Sequence, residues 1–114
     1  MSAEKQGAEM EVDDSNFHKK VIEASKKVPI VVDFWAVWCG PCHMLSSTIS
    51  KLANEYKGKF ILAKLNVDKN TRTAKEYNIM SIPNVKMFKN GKIVDEFVGV
   101  IPEFEIRKWL NKNL

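Results

Sequence analysis

Cysteine is scarce in this sequence: two residues in 114. That excludes a small scaffold stapled by several disulfides, which needs four or more cysteines. Histidine is equally scarce, with only His18 and His43. A structural zinc site wants four ligands. One C-x-x-C pair does not supply them, and His43, next to Cys42, would point elsewhere on a helix. No metal is expected. A G-x-G-x-x-G phosphate loop is missing, so no bound cofactor is expected either. Long apolar runs are also missing. The longest, around Pro29–Trp38, is too short for a membrane span and carries Asp33 in its middle. The opening MSAEKQGAEM lacks the apolar stretch of a signal peptide. The expectation is a cytoplasmic chain with no membrane partner. In a reducing compartment a cysteine pair is a poor structural staple.

Basic blocks are absent as well. The net charge is +4, yet Glu4, Glu9, Glu11, Asp13 and Asp14 face only Lys5 in the first fourteen residues. The lysines that follow are scattered, as at Lys19, Lys20, Lys26, Lys27, Lys51, Lys57 and Lys59, without interleaved aromatics. That pattern reads as a solvated surface and not as a nucleic-acid site.

What is present is one domain's worth of alternating elements. Residues 1–7 read as a flexible polar leader and residues 8–114 as a single domain. Ala8–Val12 suits a short edge strand. Ser15 is placed to cap a helix running to about Ala24, with Phe17, Val21 and Ile22 on one face. Pro29–Phe34 is β-branched and nearly continuous, as in a central strand buried on both faces. The apolar spacing of Cys42, Leu45, Ile49, Leu52, Ala53 and Tyr56 predicts a helix from near Cys39 to about Tyr56. Phe60–Val67 is a second buried strand, and Asn70 can cap a short helix through Tyr77. Asn84–Phe88 and Ile93–Val98 form a hairpin around Asn90-Gly91, a pair suited to positive φ. A last helix over Glu103–Leu110 buries Ile106, Trp109 and Leu110. Strand–helix alternation gives an α/β fold: a central mixed sheet of four to five strands with helices on both faces.

Cys39-Gly40-Pro41-Cys42 falls where a buried strand gives way to a helix. Residues three apart on a helix share a face, within reach of a disulfide. A helix N-terminus offers unpaired N–H groups and a positive dipole end. Both favour a thiolate, the reactive form of cysteine. Pro41 is tolerated in a first helical turn, and Gly40 keeps the sulfur uncrowded. A structural disulfide closing so small a loop would add little stability. Two inert core cysteines are the competing reading. Asp33, in the run IVVDFWA, is either turned to solvent by the pleat or buried and then protonated or paired.

The segment Val32-Asp33-Phe34-Trp35-Ala36-Val37-Trp38-Cys39-Gly40-Pro41-Cys42 closely resembles the active-site segment of thioredoxins. Ala63-Lys64-Leu65-Asn66-Val67-Asp68, Ser81-Ile82-Pro83, Phe88-Lys89-Asn90-Gly91 and Val98-Gly99 match in order, so the resemblance runs from about residue 8 to Leu114. It implies a thioredoxin fold and a protein-disulfide reductase. Cys39 would be the attacking thiolate and Cys42 the resolving thiol. It places Asp33 behind the second cysteine as a proton carrier, with Lys64 near it. Lys64 read alone is equally a snorkelling surface lysine. It implies a cis Ile82-Pro83 bond, with the Ile82 backbone pairing with an extended substrate segment. Trp38, Gly40, Pro41, Val67, Ile82, Pro83 and Gly99 would then form an apolar docking patch around Cys39. The implied partners are disulfide-bearing proteins and a thioredoxin reductase that reopens the Cys39–Cys42 bond; the chain is expected to act as a monomer.

Several positions depart from the family pattern. Ser47 stands where many thioredoxins have a helix-kinking proline, Asn84 for threonine, Ser81 for glycine and Val100 for alanine. Val37 and His43 also differ from the common residues. Two other functions compete with the reductase: an oxidase or isomerase of the same fold, and a binding module that uses the patch without turnover. Gly40-Pro41 favours the reductant, because oxidases and isomerases usually carry histidine between their cysteines.

Overall fold

The sheet is organised around one strand. In the computed structural model, which describes residues 8–114, β2 (Ile30–Trp35) lies between β3 (Ile61–Asn66) and β4 (Asn84–Lys89). The leader expected over residues 1–7 lies outside the described residues. β1 (Glu9–Glu11) pairs in parallel with β3, and β5 (Lys92–Val98) pairs antiparallel with β4. The order β1-β3-β2-β4-β5 is a mixed sheet of five strands, the upper of the two numbers expected. β1 and β5 are its edges.

Among the described residues the sheet is covered by α1 (His18–Glu23), α2 (Gly40–Glu55), α3 (Thr71–Glu76) and α4 (Glu103–Asn113). Pleating divides β2 between two cores. Val31 joins Leu45, Ile49 and Leu52 of α2 and Ile106 and Leu110 of α4. Ile30, Val32 and Phe34 join Phe17 and Val21 on the other face. Strand side chains alternate, so Asp33 belongs to the α2 face with Val31. Each large side chain buried this way contributes about 1.5–3 kcal/mol.

Two helix starts differ from the sequence reading. Asp13, not Ser15, organises the first: its Oδ1 accepts from the backbone N–H groups of Ser15 and Asn16 at 2.9 and 3.0 Å. The helix that follows has the wider π winding over His18–Glu23 and tightens to 3₁₀ over Ala24–Lys26. At α3 the Asn70 side chain makes no cap bond. It is used elsewhere, accepting from Asp14 N–H at 2.9 Å and donating to Asn66 C=O at 3.0 Å. The Asp14 carboxylate caps α3 instead, accepting from Thr73 N–H and Thr73 Oγ1 at 2.9 and 2.6 Å.

The hairpin tip is as expected, with positive φ at Asn90 and Gly91. Its two N–H groups donate to Ser25 C=O and Ser25 Oγ, both at 2.8 Å. α2 continues through Ser47 without interruption, and α4 runs one turn beyond Leu110.

Candidate active site

Cys39 is the N-cap of α2, with extended backbone (φ −92°, ψ 100°) and Pro41 in the first turn. Its Sγ accepts from Cys42 N–H at 3.2 Å. The sulfur thus occupies the place of a capping oxygen, where unpaired N–H groups and the helix dipole favour negative charge. Cys39 and Cys42 are joined by a disulfide, with Cα atoms 5.3 Å apart. The two residues are unequally reachable. Cys39 keeps 5% of its surface exposed and Cys42 none.

Cys39, Cys42 and Ala36 form a small apolar cluster of their own, against which Trp35, Val67 and Ile82 pack. The Ile82-Pro83 bond is cis. Pro83 C=O accepts from Gly99 N–H at 2.8 Å, which ties the end of β5 to that loop. Gly99 has φ +89°, a conformation that side chains with a Cβ rarely adopt. A Cβ on Gly40 would meet nothing within 4 Å, so Gly40 faces open space and leaves the approach to Cys39 flat. Trp38 is 71% exposed, and its Nε1 donates to Asp68 Oδ2 at 2.7 Å. His43 turns away from the sulfurs, as expected. Its Nε2 is 2.8 Å from Val37 C=O, and its ring meets Trp35 edge to face.

Asp33 is fully buried. Its Oδ2 accepts from Ser46 Oγ of α2 at 2.6 Å. Oδ1 is buried with no hydrogen-bond partner among the described residues. Burial pushes its carboxyl up to about 6, against the opposing pull of the Ser46 hydrogen bond and the Lys64 charge; Glu9 adds a small upward push. Lys64 is the residue opposite Asp33 in the β2–β3 register. Its ammonium stands 5.3 Å from the Trp35 ring centroid. Of the two readings of Asp33, burial is the one observed.

A thioredoxin family model matches residues 8–112. The chain belongs to the thioredoxin family. It is 46% identical over 108 residues to thioredoxin 2 of Chlorobaculum tepidum, covering 95% of this chain and 97% of that protein. It is 47% identical to the thioredoxin of Griffithsia pacifica, covering 91% and 94%. It is 43% identical to the thioredoxin of Rickettsia felis, covering 90% and 96%. Thioredoxins work through their own cysteine pair, and this chain is a protein-disulfide reductase acting by dithiol–disulfide exchange. Among the described residues, no helix is long and apolar enough to cross a membrane.

Two thioredoxin-site features escape the sequence reading. Asp68 is the anchor of Trp38, 30 positions away, and nothing local marks it. Ser46 was legible in principle. It follows Cys42 by four positions on a helix whose other residues on that face are apolar. A hydroxyl there needs a buried partner.

Proposed function

We propose that Cys39 is the attacking thiolate, Cys42 the resolving thiol and Asp33 the group that takes the Cys42 proton. The observation that carries this is the asymmetry of the pair: a partly exposed sulfur capping α2, and a fully buried one behind it. The Cys39 thiolate attacks a substrate disulfide, forms a mixed disulfide and releases one substrate thiolate. The Cys42 proton passes to Asp33 through water. Cys42 sulfur then attacks Cys39 Sγ, the bond to substrate breaks, and its electron pair leaves on the substrate sulfur, which is then protonated. Two electrons have moved to the substrate, and the Cys39–Cys42 bond has closed. A separate thioredoxin reductase returns them.

Trp38, Gly40, Pro41, Val67, Ile82, Pro83 and Gly99 form the docking patch for extended segments of disulfide-bearing proteins. Packing of Val67 and Ile82 on the cysteine cluster, and the Gly99–Pro83 hydrogen bond, support this reading. Lys64 steadies the Asp33 charge from the neighbouring strand. We place the protein, as a monomer, in the cytoplasm, a reducing compartment in which a cysteine pair serves as a reactive group and not as a staple. The test is trapping. Cys42→Ser should accumulate mixed disulfides through Cys39 in a lysate, and Cys39→Ser should accumulate none and lose disulfide reduction. Turnover retained by Cys39→Ser would reverse the assignment.

A further inference from the structure

The mechanism above uses Asp33 and Cys42 but leaves Ser46 unexplained. Ser46 is 93% buried. A serine inside a helix usually donates to the carbonyl four residues back, here that of Cys42. The Ser46 hydroxyl instead crosses from α2 to β2 and donates to Asp33 Oδ2 at 2.6 Å. That is a short bond, within the range of an O–H donor on a carboxylate oxygen. Cys42 lies one turn before Ser46 on the same face of α2. The hydrogen bond therefore fastens the Asp33 carboxyl to the helix one turn, about 6 Å, from the resolving cysteine.

The two carboxyl oxygens are not equivalent. Oδ2 is occupied by a donor, and Oδ1 has no partner among the described residues. A proton on Oδ2 would compete with the Ser46 hydrogen. A proton on Oδ1 leaves that bond intact. Resting on the reading of Asp33 as proton partner of Cys42, we propose that Ser46 is a positioning residue: its hydroxyl holds Asp33 Oδ2 and assigns Oδ1 to exchange the proton with Cys42.

The remaining neighbours do not replace it. Across β4 the residue opposite Asp33 is Val85, which is apolar. Lys64 from β3 and Glu9 from β1 act on the carboxyl with opposite signs. Glu9 is itself engaged, accepting from Ser50 Oγ at 2.7 Å. Ser46 is the only side chain that donates a hydrogen bond to Asp33 among the described residues. A donor to the ionised carboxylate favours the charged form, so its loss must raise the pH at which Asp33 gives up its proton.

The test compares Ser46→Ala, Ser46→Thr and Asp33→Asn with the parent. Alanine is a strong helix former, so Ser46→Ala should fold; near-ultraviolet circular dichroism checks this. The readouts are carbon-13 carboxyl titration of Asp33 and the pH profile of kcat on a protein disulfide. Ser46→Ala should move both inflections upward by about one to two pH units, lower kcat at neutral pH and leave KM unchanged. Ser46→Thr, which restores the hydroxyl, should bring both back toward the parent. An unmoved or lowered Asp33 titration in Ser46→Ala overturns the proposal. If that variant is silent while Asp33→Asn removes the kinetic inflection, Ser46 alone loses its role. If Asp33→Asn leaves the inflection in place, the role of Asp33 falls, and the positioning role of Ser46 falls with it.

Discussion

Asp33 and Lys64 stand directly opposite each other in the parallel β2–β3 register, yet the Lys64 ammonium lies 5.3 Å from the Trp35 ring centroid. The charge acts on the carboxyl through space while the ammonium sits over an indole. A positive charge favours the carboxylate. Lys64→Met should therefore raise the Asp33 inflection above about 6 in a carboxyl titration. A downward move would remove Lys64 from the site's electrostatics.

Asp33 should govern the pH response of turnover near pH 6, where its pKa lies. Asp33→Asn cannot take a proton from Cys42. It should slow reduction of a protein disulfide at pH 7 by roughly tenfold, below the ~10²–10⁴ of directly placed acid–base groups because a water intervenes. Steady-state rates from pH 5 to 8 check this, and an unchanged profile refutes it.

The same carboxyl should weaken the fold at neutral pH. Its pKa rises from 3.8 to about 6 on folding, chiefly through burial. Between those values the folded state binds more protons than the unfolded one. Stability therefore falls as pH rises from about 4 to about 6, and the full penalty persists above that. Asp33→Asn should be more stable than the parent by roughly 1–3 kcal/mol at pH 7. The difference should vanish near pH 3. Urea unfolding at the two pH values measures it.

Trp38 should matter to proteins and not to small disulfides. It is 71% exposed beside Cys39 and fixed by Asp68. Trp38→Ala should raise KM for a protein disulfide by roughly tenfold, the loss typical of an aromatic anchor. Turnover of a small aromatic disulfide should change little. Equal losses on both substrates would place Trp38 in the chemistry and not in docking.

Asp14 should be a structural residue outside the site. It caps α3 and bonds to the buried Thr73 hydroxyl. Asp14→Ala should cost about 1–2 kcal/mol in thermal or urea unfolding, with kcat unaltered.

The parts legible in the sequence are those fixed by local pattern. The apolar run of β2, the three-and-four spacing in α2, the Asn90-Gly91 turn and the Cys39–Cys42 interval each carry their own geometry. Ser15 and Asn70 are sound capping types, but Asp13 and Asp14 displace them. Asp13 does so from two positions before Ser15, a neighbour of equal capping strength, whereas at α3 the deciding contact comes from far along the chain. The Asp14 contact with Thr73 spans 59 positions. Ser46 is hidden for the same reason: its partner Asp33 belongs to another element. The resemblance to thioredoxins, not the pattern, is what anticipated the cis Ile82-Pro83 bond.

The two edge strands differ in length but share one property. β1 carries Glu9 and Glu11, and β5 carries Lys92, Asp95 and Glu96. Charged margins oppose edge-to-edge pairing of strands from separate molecules. A disulfide reductase delivers electrons in proportion to its abundance. The chemistry of those margins, far from either sulfur, helps set how concentrated the carrier can be before it leaves solution.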